Sequence, residues 1–571
     1  MGIHRFFPWF KNQFSMHIKK VGKKQTLTEI NVGIDTLMID MNGIIHNSAQ
    51  KIYEYGNFKP LPSLLRKHRK PGGLQAQLKL FEDVCLTVEN LIKIVNPSKR
   101  LVLCVDGPAP SAKQSQQRSR RFRSSKESSD DSSFNTSCIS PGTKFMDYLD
   151  KYIDWYIRKR INQDPEWRKF QVIYSSEKVP GEGEHQCVNF IRQYGNQDET
   201  FCISGLDADL IMLALGTHMP KFYILREDLY DSNNDFFCIN IGSIRSDLSN
   251  LLRWKENKYI FDSKRSIDDF IFLCFMVGND FLPHIPSIEI IENGLELILE
   301  VYRETGTSYG HITQEINGNV KFCPETLGVF LGTIGQHEKS NFEQKLRKKN
   351  SFFPDPILDK CSVQNEGKWA VDIEKYKSDY YTACFPPDTD EEKLCHDYLE
   401  GMQWVLSYYT RGVPNWKWNF RYHYAPPASI LANHTKTFKF PHYGRTIPSS
   451  AFQQLLCILP PKSAHLLPEQ LAKLLTDEMS PIKKYCPDNF EIDLGGKRKE
   501  FEGIVLVPMI DVELVRDCYL ENLGKIDSRE LKRNLVRKSI VYEYIPGLHG
   551  SFISYYGNIE KCSVRTMFID I

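Results

Sequence analysis

The sequence lacks the features that mark secreted, membrane-spanning and zinc-binding proteins. Its first ten residues, MGIHRFFPWF, contain no apolar stretch of the kind found in signal peptides, and no apolar run approaches the roughly 20 residues needed to cross a bilayer. The 15 cysteines include no C-x-x-C pair and no Cys/His spacing typical of zinc sites. We therefore expect free thiols in a reducing, intracellular compartment, with the cytoplasm favoured over the nucleus, and no membrane association.

An excess of charge of one sign is also absent. The formal net charge is +2 over 571 residues, which excludes attraction of a polyanion by the chain as a whole. Any nucleic-acid surface must therefore come from local clusters of basic residues. The length suggests several domains or one enlarged domain, and the apolar content of 41% is typical of globular proteins.

Acidic residues follow the first two strands predicted in the chain. Residues 36–39 form an apolar run that ends in Asp40, and residues 101–105 form another that ends in Asp106. A helix is predicted between them over residues 74–95, and Asn42 with Gly43 predicts a turn. Strand, helix, strand is the rhythm of a parallel α/β sheet, whose sites form at the carboxyl ends of the strands.

The pattern continues in the next two units. A predicted strand, QVIYSS, leads to VPGEGEH, where Glu182 and Glu184 open a helix. The strand before SGLDADLIML leads to Asp207 and Asp209, and residues two apart in an extended segment point the same way. Helix capping is the alternative interpretation of an aspartate in front of an apolar run.

Repetition of such acids favours a metal site. Acids at equivalent positions repel one another unless a cation neutralises them, and oxygen-only ligands favour hard cations such as Mg²⁺ or Mn²⁺. A carboxylate-bound pair of ions suits attack of water on a phosphodiester. The sequence thus predicts a phosphoryl-transfer site with two ions, whose catalytic and metal-binding residues are Asp40, Asp106, Glu182, Glu184, Asp207, Asp209 and Asp280.

A basic segment follows Asp106 directly. If DGPAPSAKQSQQRSRRFRSSK is helical from Ser111, four donors fall on one face at i, i+4, i+7 and i+8: Lys113, Gln117, Arg120 and Arg121. Such a group can bind a terminal phosphate, with arginine supplying paired donors. A solvated basic helix is the alternative interpretation.

Long motifs in fixed order carry a family resemblance. MGIHRFFPWF, IDMNGIIHN, VDGPAPSAKQSQQRSRRFRSSKE, VPGEGEHQ, GLDADLIML, VGNDFLPHIP and QWVLSYYTRGVPNWKWNFRYHYAP resemble the successive signatures of the Xrn family of 5′→3′ exoribonucleases. The likeness covers about residues 1–310 and 395–540. It implies an α/β fold with a largely parallel central sheet flanked by helices, of the PIN/FEN-like nuclease type, and a second, mainly helical segment packed around it.

The resemblance also assigns roles. The seven acids match the family's metal ligands, and the four residues of the basic helix match its pocket for a 5′-monophosphate. His46 matches a histidine that stacks on the first bases, and Trp418, in preference to Trp416, matches a tryptophan near the scissile nucleotide. Without the resemblance, all three aromatic side chains would be assigned to the core.

The implied function is stepwise hydrolysis of single-stranded, 5′-monophosphorylated RNA to mononucleotides, processively and in RNA decay. We expect a monomer that is the catalytic core in minimal form; accessory or decapping partners are not identified by the sequence. Two alternatives stay open: a flap-type DNA nuclease that recognises structured DNA, and a non-catalytic RNA-binding scaffold.

Three segments are predicted, a nuclease segment at 1–310, a variable linker at 311–394 and a second conserved segment at 395–571. Two shorter segments depart from the pattern of the Xrn family. The basic segment 51–73 has no match in the family's pattern, and residues 53–73, with RKHRK at 66–70, are expected to be a surface loop. The polar stretch SSDDSSFNTS after Lys126 predicts that the basic helix is short.

Overall fold

The computed structural model describes residues 6–58, 73–127, 134–228, 235–255, 258–290, 294–348, 353–497 and 499–571. The basic run at 66–70 and the first part of the polar stretch after Lys126 lie outside these residues. The basic helix is described over Ser111–Glu127, and since the residues directly after it lie outside the described ranges, its expected shortness stays a prediction.

Helices account for most of the regular structure. The described α-helices are α1 Phe6–Gln13, α2 Met41–Tyr53, α3 Gly73–Val95, α4 Ser111–Glu127, α5 Lys144–Gln163, α6 Gly183–Tyr194, α7 Asp209–Gly216, α8 Ile241–Leu252, α9 Ser263–Cys274, α10 Gly294–Tyr309, α11 Pro324–Gln336, α12 Glu338–Arg347, α13 Pro356–Lys360, α14 Ile373–Cys384, α15 Glu391–Thr410, α16 Ala428–His434, α17 Ala451–Ile458, α18 Glu469–Thr476, α19 Val512–Leu523 and α20 Ser528–Leu531.

The strands are short and spread over the whole chain. They are β1 Ile18–Val21, β2 Thr36–Asp40, β3 Arg100–Cys104, β4 Gln171–Ser175, β5 Phe201–Ser204, β6 Phe222–Glu227, β7 Phe236–Asn240, β8 Thr313–Ile316, β9 Asn319–Phe322, β10 Ser362–Asn365, β11 Lys368–Val371, β12 Glu491–Asp493, β13 Ile504–Leu506, β14 Ser539–Tyr544, β15 Gly550–Phe552, β16 Ile559–Cys562 and β17 Val564–Ile569.

One nine-stranded sheet organises the molecule, in the order β1-β7-β6-β5-β2-β3-β4-β14-β17. Its five central strands, β6, β5, β2, β3 and β4, run parallel to one another. Two further strands at each edge, β7 and β1 on one side and β14 and β17 on the other, each pair antiparallel with their neighbours. The chain builds β2, β3 and β4 towards one side and then returns to place β5 on the other side of β2. This reversal lies between β2 and β5, and ligands of open α/β sheets bind at such a point.

Both faces of the sheet are covered because its central strands are apolar on both sides. On β2, Leu37 and Ile39 pack with α2, α3 and α5, whereas Met38 packs with α6, α7 and α9 on the other face. This alternation follows from the two-residue period of a strand. The predicted α/β fold with a largely parallel sheet flanked by helices is therefore confirmed.

The second half of the chain packs around this core. Helices α10 to α16 extend the hydrophobic cluster on the α6–α9 face, and α17 to α19 form a smaller cluster of their own. Strands β14 and β17 extend the central sheet beyond β4, which the sequence motifs did not predict. The described part of residues 311–394 contains two hairpins and four complete helices, α11 to α14, and α15 begins at Glu391; the three-part division of the chain stays a prediction.

None of the helices within the described ranges is long and apolar enough to span a bilayer. The aromatic residues near the start of the chain belong to the core, since Phe6 and Phe10 of α1 are fully buried.

Candidate metal and phosphate site

The acids converge at the carboxyl edge of the parallel strands. Asp40 is the last residue of β2, and Asp106 lies two residues beyond β3. Asp207 and Asp209 follow β5, the strand on the other side of β2. Glu182 is the residue directly before α6, which begins after the loop that follows β4. The sheet topology therefore brings together acids that are far apart in sequence.

Three acids form the tightest group. Glu184, Asp207 and Asp209 each offer a carboxylate oxygen, and these atoms all lie within 4.8 Å of one another. Glu184 Oε2 and Asp209 Oδ1 are buried and have no hydrogen-bond partner among the described residues. Buried carboxylate oxygens without donors are costly unless a cation compensates them. The group therefore fits a hard divalent ion with oxygen ligands.

Lys113 of α4 lies inside the acidic group. Its Nζ is 2.5 Å from Glu182 Oε2 and 2.7 Å from Asp280 Oδ2. Burial alone would lower the pKa of this ammonium, but Asp280 and Glu182 hold it well above its usual value. Burial likewise would raise the pKa of Asp280, and the adjacent Lys113 instead keeps it well below its usual value. Both groups are therefore charged at neutral pH.

Other acids of the group bind protons more tightly than usual. Burial raises the pKa of Glu182 to about 7, although Lys113 opposes the shift. Burial and the neighbouring Asp207 raise the pKa of Asp209 to about 6. Asp40 shows the same effect, because burial and then Asp106 raise its pKa well above the usual value. Crowded carboxylates of this kind favour cation binding.

Asn42 positions Asp106. Its Nδ2 donates to Asp106 Oδ2 at 2.6 Å, and its Oδ1 accepts from the Asp106 amide at 3.0 Å. The predicted turn at Asn42 and Gly43 is wrong, because α2 begins at Met41, immediately after β2, with Asp40 as its N-cap. The Asn-Gly pair suggested a turn, but the cap and the burial of Met41 and Ile45 favour the helix.

Gly183 is required at the site by close contact. Its amide donates to Asp106 Oδ1 at 2.7 Å. A Cβ at this position would lie 2.9 Å from Asp40 Oδ1 and 3.0 Å from the Cys104 carbonyl oxygen. The glycine between Glu182 and Glu184 therefore allows α6 to approach the ends of β2 and β3.

Helix α4 carries the four predicted phosphate ligands. Lys113 and Gln117 are buried, Arg121 is half-buried and Arg120 is exposed. Arg121 Nη2 donates to Ser140 Oγ at 2.5 Å, and Gln117 Oε1 accepts from Gln454 Nε2 at 3.2 Å. Lys113, Gln117 and Arg121 thus have protein partners, and the partners of Lys113 are the acids Glu182 and Asp280. Their role as a phosphate pocket stays a prediction.

The predicted stacking residues come from α2 and from the segment that follows α15. His46 of α2 is half-buried, and its pKa falls to about 3 because of burial and then of Arg120 and Arg121, so the imidazole is neutral. Trp418 stacks on buried Trp404, with ring centroids 5.2 Å apart and planes inclined by 24°. The carbonyl oxygen of Trp416 accepts from the Ser111 amide at 2.9 Å, at the start of α4. Their contact with bases stays a prediction.

Two residues of the second half complete the site. The hydroxyl of Tyr408 on α15 donates to Glu182 Oε1 at 2.9 Å, and His185 stacks on the Tyr408 ring at 3.6 Å. Gln454 of α17 accepts from the Ala109 amide at 2.7 Å and donates to Gln117. Tyr408 lies in the QWVLSYYTRG motif, but no sequence pattern assigned either residue to the site, because each contact joins segments more than 220 residues apart.

The fold and the acids define the class of the protein. A largely parallel sheet with helices on both faces and acids at its carboxyl edge is the architecture of PIN/FEN-like nuclease cores. Two family models match the chain: the "XRN 5′-3′ exonuclease N-terminus" over residues 1–228 and the "Xrn1 helical domain" over residues 260–369 and 371–561. The chain belongs to the XRN family of 5′-3′ exonucleases.

Curated relatives match almost the whole chain. The 5′-3′ exoribonuclease 1 of Homo sapiens is 30% identical, with 100% of this chain and 37% of the relative covered. The 5′-3′ exoribonuclease 1 of Saccharomyces cerevisiae is 27% identical, with 98% and 46% covered. The 5′-3′ exoribonuclease 2 homolog of Drosophila melanogaster is 28% identical, with 94% and 72% covered. The chain thus spans less than half the length of the first two.

Proposed function

We propose that the chain is a 5′→3′ exoribonuclease that hydrolyses 5′-monophosphorylated single-stranded RNA to mononucleotides. The observation that carries the proposal is the meeting of the acidic group with Lys113 at the start of the basic helix α4. This arrangement places candidate metal ligands beside candidate phosphate ligands. The relatives, which are named as 5′-3′ exoribonucleases, support the same activity.

Metal binding would fall to the seven acids. Glu184, Asp207 and Asp209 form the group with ligand atoms close enough to share one ion, and Asp40, Asp106, Glu182 and Asp280 surround it. Two bound Mg²⁺ or Mn²⁺ ions would supply Lewis-acid activation of water and stabilisation of the leaving oxygen. The acids hold their positions through Asn42, Gly183 and Tyr408, so little rearrangement is needed when substrate arrives.

Helix α4 would bind the 5′ end. Arg120 is exposed and Arg121 is half-buried, so both guanidiniums can donate hydrogen bonds to a phosphate that approaches from solvent. Burial and then Arg120 lower the pKa of Arg121 to about 9, which leaves it charged at neutral pH. Capture of each new 5′-monophosphate by these groups would make the reaction directional and processive.

The bases would be held without sequence selection. A neutral His46 and an indole at Trp418 are suited to stacking, which every base tolerates. Stepwise degradation of many RNAs is consistent with a role in RNA decay. A monomeric, cytoplasmic enzyme belongs to the same proposal.

A labelled-substrate assay tests the proposal. Purified protein is incubated with 3′-labelled RNA that bears a 5′-monophosphate or a 5′-hydroxyl, with Mg²⁺ or with chelator. We expect metal-dependent loss of the monophosphorylated RNA alone, without discrete intermediates. Asp207→Asn and Asp209→Asn should abolish cleavage and retain RNA binding, since both act on the ions rather than on the RNA path.

Other outcomes identify the alternatives. Equal cutting of both 5′ ends, or preference for a branched DNA substrate, would favour a flap-type nuclease. Tight RNA binding with no metal-dependent turnover would favour a scaffold. Measurable cleavage by Asp207→Asn would contradict the assignment of that acid.

A further inference from the structure

A cavity lies behind the loop that carries Asp280. Its volume is about 680 Å³, within the range of roughly 300–1,000 Å³ found for small-molecule sites. Pro283, His284 and Pro286 form one wall, and the β12–β13 hairpin forms another. None of the seven acids lines it, as far as the described residues extend. The cavity is therefore distinct from the proposed nuclease site.

Aromatic rings form the apolar part of the cavity. Tyr376 and Tyr380 stack, with centroids 5.8 Å apart and planes inclined by 21°. Tyr424 stands edge-on to Tyr380 at 6.2 Å and an angle of 83°. Both phenols are fixed, since Tyr380 donates to the Ala425 carbonyl at 2.8 Å and Tyr424 donates to Asp493 Oδ2 at 2.6 Å. The negative face of an aromatic ring attracts organic cations, and rings that are held in place can bind one without losing freedom of their own.

The charge of the lining decides which ligand fits. Among the described residues, the lining contains five carboxylates and two ammonium groups, which gives a formal charge of −3; the carboxylates are Glu289, Asp355, Glu491, Asp493 and Glu502. His284 and His423 add no charge at neutral pH, because burial lowers the pKa of both, that of His284 to about 4. A phosphate would meet this negative charge, whereas a cation complements it.

The two lysines do not offer a phosphate site. Lys345 Nζ lies between Glu289 Oε1 at 3.3 Å and Asp355 Oδ2 at 3.4 Å, so two carboxylates neutralise it. Lys497 Nζ lies 3.3 Å from His284 Nε2 at the wall next to the Asp280 loop. Asp493 faces the aromatic side and accepts from Tyr424 and from the Gly495 amide at 2.9 Å, not from a lysine in the lining.

We propose that this cavity binds a free small organic cation, an alkylammonium or a guanidinium, against the Tyr380 and Tyr424 rings and beside the Asp493 carboxylate. Such a ligand would make cation–π contacts with the rings and would also neutralise part of the excess negative charge. The proposal concerns binding and does not depend on nuclease activity.

Calorimetric titration of the full chain, with Mg²⁺ present to saturate the other acids, tests the inference. Agmatine and spermidine serve as probes, AMP as an anionic aromatic ligand, and capped Gly-Arg-Gly as an arginine side chain offered by a protein. We expect one molecule of agmatine or spermidine to bind per chain, more tightly than the tripeptide, and no binding of AMP.

Four substitutions test the location of the site. Asp493→Asn and Tyr380→Leu should each weaken agmatine binding by about tenfold or more, because each removes a partner of the cation. Asp488→Asn is the matched control: it removes a nearby negative charge, on an acid paired with Lys483 and outside the cavity lining, and should leave affinity unchanged. Tyr380→Phe keeps the ring and should retain binding if the protein folds.

Several results would overturn the inference. Two concern the ligand: AMP binding that depends on Asp493, or tighter binding of the tripeptide than of agmatine. The other two are equal losses of agmatine affinity in Asp493→Asn and Asp488→Asn, and no binding of either agmatine or spermidine. Thermal unfolding of each variant shows whether a loss of binding reflects a loss of folding.

Discussion

The Tyr408 hydroxyl donates a 2.9 Å hydrogen bond to Glu182 Oε1, across 226 residues of sequence. Helix α15 of the second half thus fixes an acid that stands at the carboxyl edge of the sheet. Tyr408 is almost fully buried, and the His185 ring stacks on its ring, so the phenol has little freedom to move.

Removal of this hydroxyl should weaken metal binding. A hydrogen bond to a charged group contributes about 1.5–3 kcal/mol, so Tyr408→Phe should reduce Mn²⁺ affinity by about tenfold or more in calorimetric titration. Tyr302→Phe is the matched control, since Tyr302 is buried and donates to Asp269 at 2.7 Å, away from the site. It should lower stability and leave Mn²⁺ affinity unchanged; equal losses of affinity would contradict a specific role of Tyr408.

The acids predict a pH dependence of stability. The folded-state pKa values of about 7 for Glu182 and about 6 for Asp209 lie above the unfolded values of about 4.3 and 3.9. Protons therefore bind the folded state more tightly, and this stabilisation is complete below about pH 4 and lost as the pH rises to about 7. Metal should offset the loss, so the rise in melting temperature with Mg²⁺ should be larger at pH 8 than at pH 5.5.

A variant checks the origin of that dependence. Asp209→Asn removes one titrating carboxylate and should reduce both the loss of metal-free stability with pH and the effect of Mg²⁺. A wild-type melting temperature that responds equally to Mg²⁺ at both pH values would contradict the assignment.

Arg121 should contribute to recognition of the 5′ end. Loss of a charged hydrogen-bond donor to phosphate costs about 1.5–3 kcal/mol, so Arg121→Ala should reduce the preference for 5′-monophosphate over 5′-hydroxyl RNA by about tenfold or more. Arg123→Ala is the control on the same helix, because Arg123 donates to the Phe501 and Gly503 carbonyls instead. Initial rates on the two substrates measure the preference, and an unchanged ratio in Arg121→Ala would exclude it from the pocket.

Gly183 should not tolerate a side chain. The Cβ of Gly183→Ala would lie 2.9 Å from Asp40 Oδ1, so we expect a loss of about 1–3 kcal/mol in the free energy of unfolding and a loss of Mn²⁺ binding. Gly43→Ala, on α2, meets no atom within 4 Å and should stabilise the protein by about 0.5–1 kcal/mol. Denaturant unfolding and Mn²⁺ titration distinguish the two, and full Mn²⁺ affinity in Gly183→Ala would show that α6 can shift.

Local patterns were sufficient for the elements of the parallel core. The strand before Asp40, the long helix that became α3 and the helix that begins at Ser111 are all confirmed. Each has a hydrophobic period or an apolar run that depends only on neighbouring residues. The turn at Asn42 failed because a single Asn-Gly pair is weaker than the cap and buried face of α2.

Acids after successive strands, and basic residues on one face of α4, could be predicted from neighbouring residues, because these set the period of side chains along a strand or helix. The position of Lys113 between Glu182 and Asp280, the contacts of Tyr408 and Gln454 with the site, and the extension of the sheet by β14 and β17 could not. They depend on how segments far apart in sequence pack against one another, which no local pattern specifies.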